Sequence, residues 1–263
     1  MNIGMIGSGA IGAYVRDRLE ERGHTVRALL LRPGRLQERN ATPDGPLRVA
    51  SVRDLPDDLD HMIDCAGHGA LRSFGPDILR RGLDLTTVSI GALADRKLHS
   101  DLEQAAADGA ANLYLASGAI GALDCLRSAR IGVLQSVTYI GRKPPQGWKG
   151  SAAETRLDLD NLHAGAAVHF DGTARNAAME YPKNANVAAA VALAGIGFDN
   201  TQVRLIADPG IDENIHEIHA AGDFGRFSFE VRGQPLPANP RSSALAAMSV
   251  VSTIEQITQS IRF

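Results

Sequence analysis

Apolar and polar positions along the first half of the chain fall into short alternating blocks. Asn2-Ile3-Gly4-Met5-Ile6 is a brief apolar run that leads into Gly7-Ser8-Gly9-Ala10-Ile11-Gly12. Ile11, Val15 and Leu19 then recur at helical spacing as far as Gly23, and residues 25–31 are apolar again. The pattern predicts strand, glycine turn, helix, strand. It continues with strands at 62–66, 85–90 and 112–116 and helices at 76–81 and 101–108. Strands alternating with helices imply a parallel sheet covered on both faces.

After Ser117-Gly118-Ala119 the texture changes. Residues 133–141, 167–171, 202–207, 214–220 and 226–231 read as longer strands, with an alanine-rich helix at 185–194 between them. Strands with few intervening helices suggest an antiparallel or mixed sheet. Pro235-Leu236-Pro237 and Pro240 end it, and residues 242–261 read as one long helix that packs back on the first half. No internal repeat or low-complexity tract is visible.

The glycine turn is weak evidence alone. Here it follows a strand and opens a helix at the start of a βαβ unit, the context a dinucleotide fingerprint requires. Gly7 permits the tight turn, Gly9 lets the backbone approach a pyrophosphate, and Gly12 allows close helix–strand packing. The helix start, with Ala10 and Ile11, offers free N–H groups to the anion. An NAD-specific site usually has an acid at the end of the second strand, but Leu31-Arg32-Pro33-Gly34-Arg35 supplies two arginines, which suit a 2′-phosphate. Both are equally readable as solvated loop charges. The expected fold is therefore α/β. A Rossmann dinucleotide-binding domain spans 1–118 and is joined by the C-terminal helix, 242–263. An α+β catalytic and dimerisation domain with a mixed sheet spans 119–241.

Composition narrows the classes. The chain has 263 residues, 44% apolar and 22% charged, with a formal net charge of -3. A nucleic-acid partner normally asks for a basic face, so none is expected. No apolar run reaches the length of a membrane helix. Cys65 and Cys125 have neither zinc spacing nor the number for a disulfide framework, so reduced thiols, a cytoplasmic location and no metal are expected. No targeting signal is read at Met1.

In the second half, strand alternation places Asn214 and His216 on one face and His219 on the other, which argues against a shared metal. By local pattern alone a strand histidine is more often structural than a proton carrier, and both readings stay open. Asn214 is placed to orient the His216 ring. Asn184 reads as a helix N-cap, whereas Lys183 beside it conflicts with the helix dipole and favours an anion nearby. The small-residue loop at 117–122 follows a parallel strand, where cofactors lie, and reads equally as an interdomain turn.

Several stretches together resemble one family, the L-aspartate dehydrogenases. They are the glycine turn, Ser89-Ile90-Gly91-Ala92-Leu93-Ala94-Asp95, Ser117-Gly118-Ala119-Ile120-Gly121-Ala122-Leu123-Asp124 and Gly141-Arg142-Lys143-Pro144-Pro145. Pro182-Lys183-Asn184-Ala185-Asn186-Val187-Ala188-Ala189, Ala207-Asp208-Pro209, Asn214-Ile215-His216 and Asn239-Pro240-Arg241-Ser242-Ser243-Ala244-Leu245 follow in order. Ser242 departs from the family's threonine but keeps the hydroxyl, and the extended loop 210–213 bears on access to the site.

The resemblance implies NAD- or NADP-dependent oxidation of L-aspartate to iminoaspartate. That product then hydrolyses to oxaloacetate and ammonia or feeds NAD biosynthesis. It implies His216 as the catalytic histidine, and Ala66, Gly118, Ala119, Ala122 and Asn186 beside Gly7, Gly9, Arg32 and the helix start as cofactor contacts. Lys183 is the first candidate for a substrate carboxylate, with Arg241 and Ser243 behind it. A homodimer is the expected assembly. Two alternatives stay open: a related oxidoreductase acting on another small acid, and a nucleotide-sensing protein without catalysis.

Overall fold

The centre of the first half of the chain is built from strands buried on both faces, residues 3–6 and 61–64 among them. The computed structural model describes residues 1–36, 45–182, 184–236 and 239–261, apart from the side chains of Pro240 and Arg241. Contacts divide the chain into two compact units: residues 1–116 with 246–263, and residues 117–245.

The first unit runs β1 (Asn2–Ile6), α1 (Ala10–Glu20), β2 (Thr25–Leu30), β3 (Leu47–Val49), β4 (His61–Asp64), α2 (His68–Arg80), β5 (Leu85–Thr87), α3 (Arg96–Gly109) and β6 (Leu113–Leu115). Its six strands are parallel in the order β3-β2-β1-β4-β5-β6. That is the doubly wound Rossmann order. Ile3, Met5, Ile6, Leu30, Met62 and Ile63 are almost wholly buried along its centre.

The structure corrects several boundaries. Leu47–Val49 is a strand that the apolar pattern does not reveal. α2 begins at His68 and carries Pro76 inside it, because Ala70, Leu71, Ile78 and Leu79 form one buried stripe across the proline. α3 begins five residues before the predicted start, where the Asp95 carboxylate caps it by accepting the Lys97 and Leu98 backbone N–H groups.

The second unit contains α4 (Leu123–Ala129), β7 (Leu134–Lys143), β8 (Ala167–Thr173), α5 (Ala174–Glu180), α6 (Asn186–Ala194), β9 (Gln202–Ala207), β10 (Asn214–Gly222), β11 (Gly225–Gly233), β12 (Pro235–Leu236) and β13 (Asn239–Ser243). Five strands form a mixed sheet in the order β11-β10-β7-β9-β8, with only β7 and β9 parallel. The prolines at its end do more than stop the sheet, since β12 and β13 pair as a separate ribbon. The short helices α4 and α5 carry no predicted counterpart.

α6 is apolar all round, with Val187, Ala188, Ala189, Ala190 and Val191 buried, as befits a helix without a solvent face. The last helix, α7 (Ala244–Thr258), is shorter than predicted; its Glu255 carboxylate lies 3.0 Å from His24 Nε2 in the first unit. No helix among the described residues is long and apolar enough to cross a membrane.

The first sheet buries an imidazole. His61 is fully inaccessible, with Nε2 2.8 Å from the Thr86 hydroxyl and Nδ1 unpartnered among the described residues. Burial lowers its pKa to about 4. The unfolded chain takes up that proton near pH 6.5, so the group contributes stability at neutral pH that is lost as pH falls from about 6.5 towards 4. Urea midpoints measured from pH 7 to pH 4.5 are expected to decline, and His61→Leu to flatten the decline by up to one proton. An identical slope in the variant would clear His61 of the effect.

Candidate functional site

The carboxyl ends of β1, β2 and β4 meet in a cleft of about 260 Å³ in the first unit, lined by Gly7, Gly9, Leu31, Arg32, Arg35 and Ala66 among others. The three glycines have distinct reasons. Gly7 sits at φ +90°, and a Cβ there would lie 2.8 Å from the Ala66 methyl carbon. A Cβ at Gly12 would come within 3.2 Å of the Gly7 carbonyl oxygen, so α1 can pack this close to the turn only without one. A Cβ at Gly9 would meet nothing within 4 Å: its absence leaves space in the cleft itself.

α1 starts there with no side-chain cap and no acid in its first turn. Its leading N–H groups and positive dipole end are the donors a pyrophosphate needs. Ala10 and Ile11 open this helix. The observed cradle thus fits a dinucleotide.

Two further features shape the cleft. Arg32 and Arg35 are both exposed at its rim, and an Arg32 guanidinium nitrogen lies 3.5 Å from where a Cβ on Gly69 would stand. Beneath the Ala66 turn lies Asp64, fully buried. Its carboxylate accepts the Ala66 N–H at 2.9 Å, the Thr87 hydroxyl at 2.7 Å and the Ser89 hydroxyl at 2.6 Å. Burial raises its pKa while these hydrogen bonds oppose the rise. Asp64 braces the turn from below. The sequence signal for it was an acid ending an otherwise apolar strand. Cys65 and Cys125 are free thiols.

The second unit presents a different constellation on one face of its sheet. Val137, Tyr139 and Gly141 are the buried alternate positions of β7, and the antiparallel register sets His216 of β10 opposite Gly141. His216 is 4% exposed. Its Nδ1 lies 2.7 Å from Tyr139 Oη, so the ring is oriented by Tyr139 rather than by Asn214. Gly141 makes this possible: a Cβ on it would fall 2.7 Å from Tyr139 Oη. Burial, and then the charge of Lys143, lower the His216 pKa to about 3, so the imidazole is neutral at physiological pH. Burial pushes the Tyr139 phenol well above its usual range, keeping its proton on. His219, on the opposite face, is exposed and hydrogen-bonds Ser228 and Glu217.

Lys143 ends the same face of β7. The residue is partly exposed, but its ammonium is desolvated enough to lower its pKa to about 8. It donates to Asn184 Oδ1 at 3.1 Å and lies 5.0 Å above the Trp148 ring centre. Asn184 is therefore engaged with Lys143 rather than capping α6, whose N-cap is Ala185 without a side-chain bond.

The remaining described candidates lie on other segments of the second unit. Gly118 takes φ +74° and Ala122 φ +56°, a left-handed conformation rare for alanine, directly before α4. Ala119 is buried between them. Across Gly121 lies the Phe229 ring, 2.8 Å from a would-be Cβ. Asn186 is the first residue of α6, and Ser243 and Arg241 lie on β13. Lys183 lies outside the described residues, as does the Arg241 side chain.

Comparison with known proteins agrees with these two halves. Residues 124–257 match the family profile described as "Aspartate dehydrogenase, C-terminal", and residues 3–116 match "Homoserine dehydrogenase, NAD binding domain". The L-aspartate dehydrogenase of Ruegeria pomeroyi is 52% identical over 262 residues, covering 100% of this chain and 94% of that protein. The L-aspartate dehydrogenase of Pseudomonas aeruginosa is 46% identical over 258 residues, covering 97% and 96%. The crystal structure of aspartate dehydrogenase from Thermotoga maritima superposes with a TM-score of 0.78 at 26% identity, over 100% of this chain and 99% of that one. A cleft shaped for a dinucleotide, a histidine held on the second sheet and relatives matched from end to end lead to one assignment: the chain belongs to the aspartate dehydrogenase family.

Proposed function

We propose that the protein oxidises L-aspartate at Cα with NAD or NADP, giving iminoaspartate, which water converts to oxaloacetate and ammonia. The observation that carries this reading is the neutral, buried His216 clamped through Nδ1, within a chain whose full-length relatives bear that name.

Gly7, Gly9 and the first N–H groups of α1 hold the pyrophosphate, Ala66 borders it, and Arg32 with Arg35 receives a 2′-phosphate when one is present. Asn186 and the loop carrying Gly118, Ala119 and Ala122 contact the rest of the dinucleotide. Bound there, the nicotinamide supplies the hydride acceptor. The chain's own work is proton transfer and positioning. In the tautomer this chemistry requires, Nδ1–H is donated to Tyr139 Oη and the Nε2 lone pair takes a proton from the substrate ammonium or from the hydrolytic water. As Nε2 gains that proton, Nδ1–H stays anchored, so the ring does not turn. Lys183, Arg241 and Ser243 are substrate contacts in this reading. A homodimer is the proposed assembly.

His216→Ala is expected to fold, to bind NAD as the parent does and to lose about 10²–10⁴ in kcat. His219→Ala, altered on the opposite face, should stay near the parent. Tyr139→Phe removes only the clamp and should lower kcat by about three- to tenfold, the worth of one hydrogen bond. Steady-state kinetics with a melting curve for each variant decide the matter. A His216→Ala protein that keeps kcat within a few-fold of the parent would falsify the assignment.

The arginines at the cleft rim predict use of NADP. The parent should accept NADP within about a thousandfold of NAD, roughly 4 kcal/mol. Arg32→Ala should lower kcat/KM for NADP by about ten- to a hundredfold, the worth of a charged hydrogen bond, with little change for NAD. Equal losses with both cofactors would mean that Arg32 does not read the 2′-phosphate.

A further inference from the structure

We infer that Lys143 is the anchor for one of the two substrate carboxylates, a cation built into the same sheet face as His216. This rests on the aspartate-oxidising reading above and assigns that site's anion contact.

Tyr139, Gly141 and Lys143 are alternate residues of β7 and share a face, and the register brings His216 onto it beside Gly141. Their neighbours on β9 in the parallel register are Val203, Leu205 and Ala207, all buried and apolar. A lysine ending such a row needs a reason. Arg142, next in sequence and on the other face, has one: it pairs with Asp208 at 2.8 Å. Lys143 has only neutral company among the described residues, the Asn184 amide oxygen and the Trp148 ring. Both orient an ammonium without cancelling its charge. A desolvated charge is costly unless paired, so the fold holds a cation whose counter-ion must come from outside. A carboxylate is the anion that an ammonium with these two neutral partners suits.

The electrostatics agree. Lys143 is one of the two causes that hold His216 protonation so low. A carboxylate on Lys143 cancels that influence, so the imidazole gains basicity only when substrate is present. Near pH 8, Lys143 is the group on this face that changes charge. His216 and His169 are held neutral by burial, Tyr139 and Tyr181 keep their protons, and Arg156 faces the cluster hydrogen-bonded to the Tyr181 hydroxyl and to Glu180.

The test uses succinate, a dicarboxylate without an amine, measured as a competitive inhibitor against L-aspartate and directly by calorimetry. Lys143→Met should raise the aspartate KM and the succinate Ki by about ten- to a hundredfold, leave NAD affinity unchanged and move kcat by less than tenfold. Lys143→Arg should recover part of the loss, which a packing defect would not allow. In the parent, succinate affinity should fall about tenfold per pH unit above pH 8, and this arm needs no variant to fold. A folded Lys143→Met protein with KM and Ki within twofold of the parent, or succinate affinity flat from pH 7 to pH 10, overturns the inference. A parent that binds succinate through Lys143 but never reduces NAD or NADP with aspartate refutes the reaction and leaves the anchor standing.

Discussion

Tyr139 reaches His216 by laying its hydroxyl over the next inward-facing residue of its own strand, and only a glycine there leaves room. That constraint ties three positions together. Gly141 cannot carry a side chain without displacing Tyr139 Oη, and without Tyr139 the buried Nδ1 of His216 would have no partner among the described residues. A buried imidazole with an unmet nitrogen costs free energy of the order of 1–3 kcal/mol. The contact fixes which ring nitrogen the phenol holds; the hydroxyl can donate or accept there, and the proposed chemistry uses the form whose Nδ1–H donates and whose Nε2 keeps its lone pair. One strand glycine thereby decides which nitrogen the tyrosine holds.

Around that contact burial keeps the imidazoles and the Tyr139 phenol of this sheet face uncharged. His216 and His169 are neutral because burial disfavours their cations, and Tyr139 is neutral because burial disfavours its anion. In such surroundings a single ammonium exerts its field over a longer distance than it would in water. Lys143 is accordingly felt at both histidines. The aromatic cluster of Trp148, His169 and Tyr181 supports it from below without adding a competing negative charge.

The sequence exposed features whose physics is local. Gly7, Gly9 and Gly12 act within six residues of one another: a Cβ would crowd the Ala66 methyl at Gly7 and the Gly7 carbonyl at Gly12, and at Gly9 it would fill open space in the cleft. Strand alternation separates His216 from His219 correctly because the pleat has a period of two wherever the chain is extended. Features that depend on distant partners stayed hidden. Tyr139 and His216 are 77 residues apart, so no window along the chain joins them. Leu47–Val49 is too short to display any period. Asn184 has the chemistry of a cap, but a lysine 41 residues earlier in the chain claims its oxygen. Lys143 stands out in the sequence only as part of the Gly141-Arg142-Lys143-Pro144-Pro145 stretch, and it takes the register to show which face it ends.

The two units also handle negative charge by different physics. In the first, the donors at the cleft floor are backbone N–H groups at a helix start, which carry only partial charges and cannot titrate. Side-chain cations stand at the rim, exposed, where they discriminate a phosphate without burdening the core. That arrangement suits a ligand with several anionic groups that must bind and leave at any physiological pH. In the second, one titratable cation sits in a desolvated setting, so its attraction for an anion is strong but conditional on its own proton. A small dicarboxylate offers few contacts, and a concentrated charge compensates for that. The consequence is that dinucleotide affinity should be nearly indifferent to pH where substrate affinity is not, and the contrast follows from donor chemistry rather than from the shape of either site.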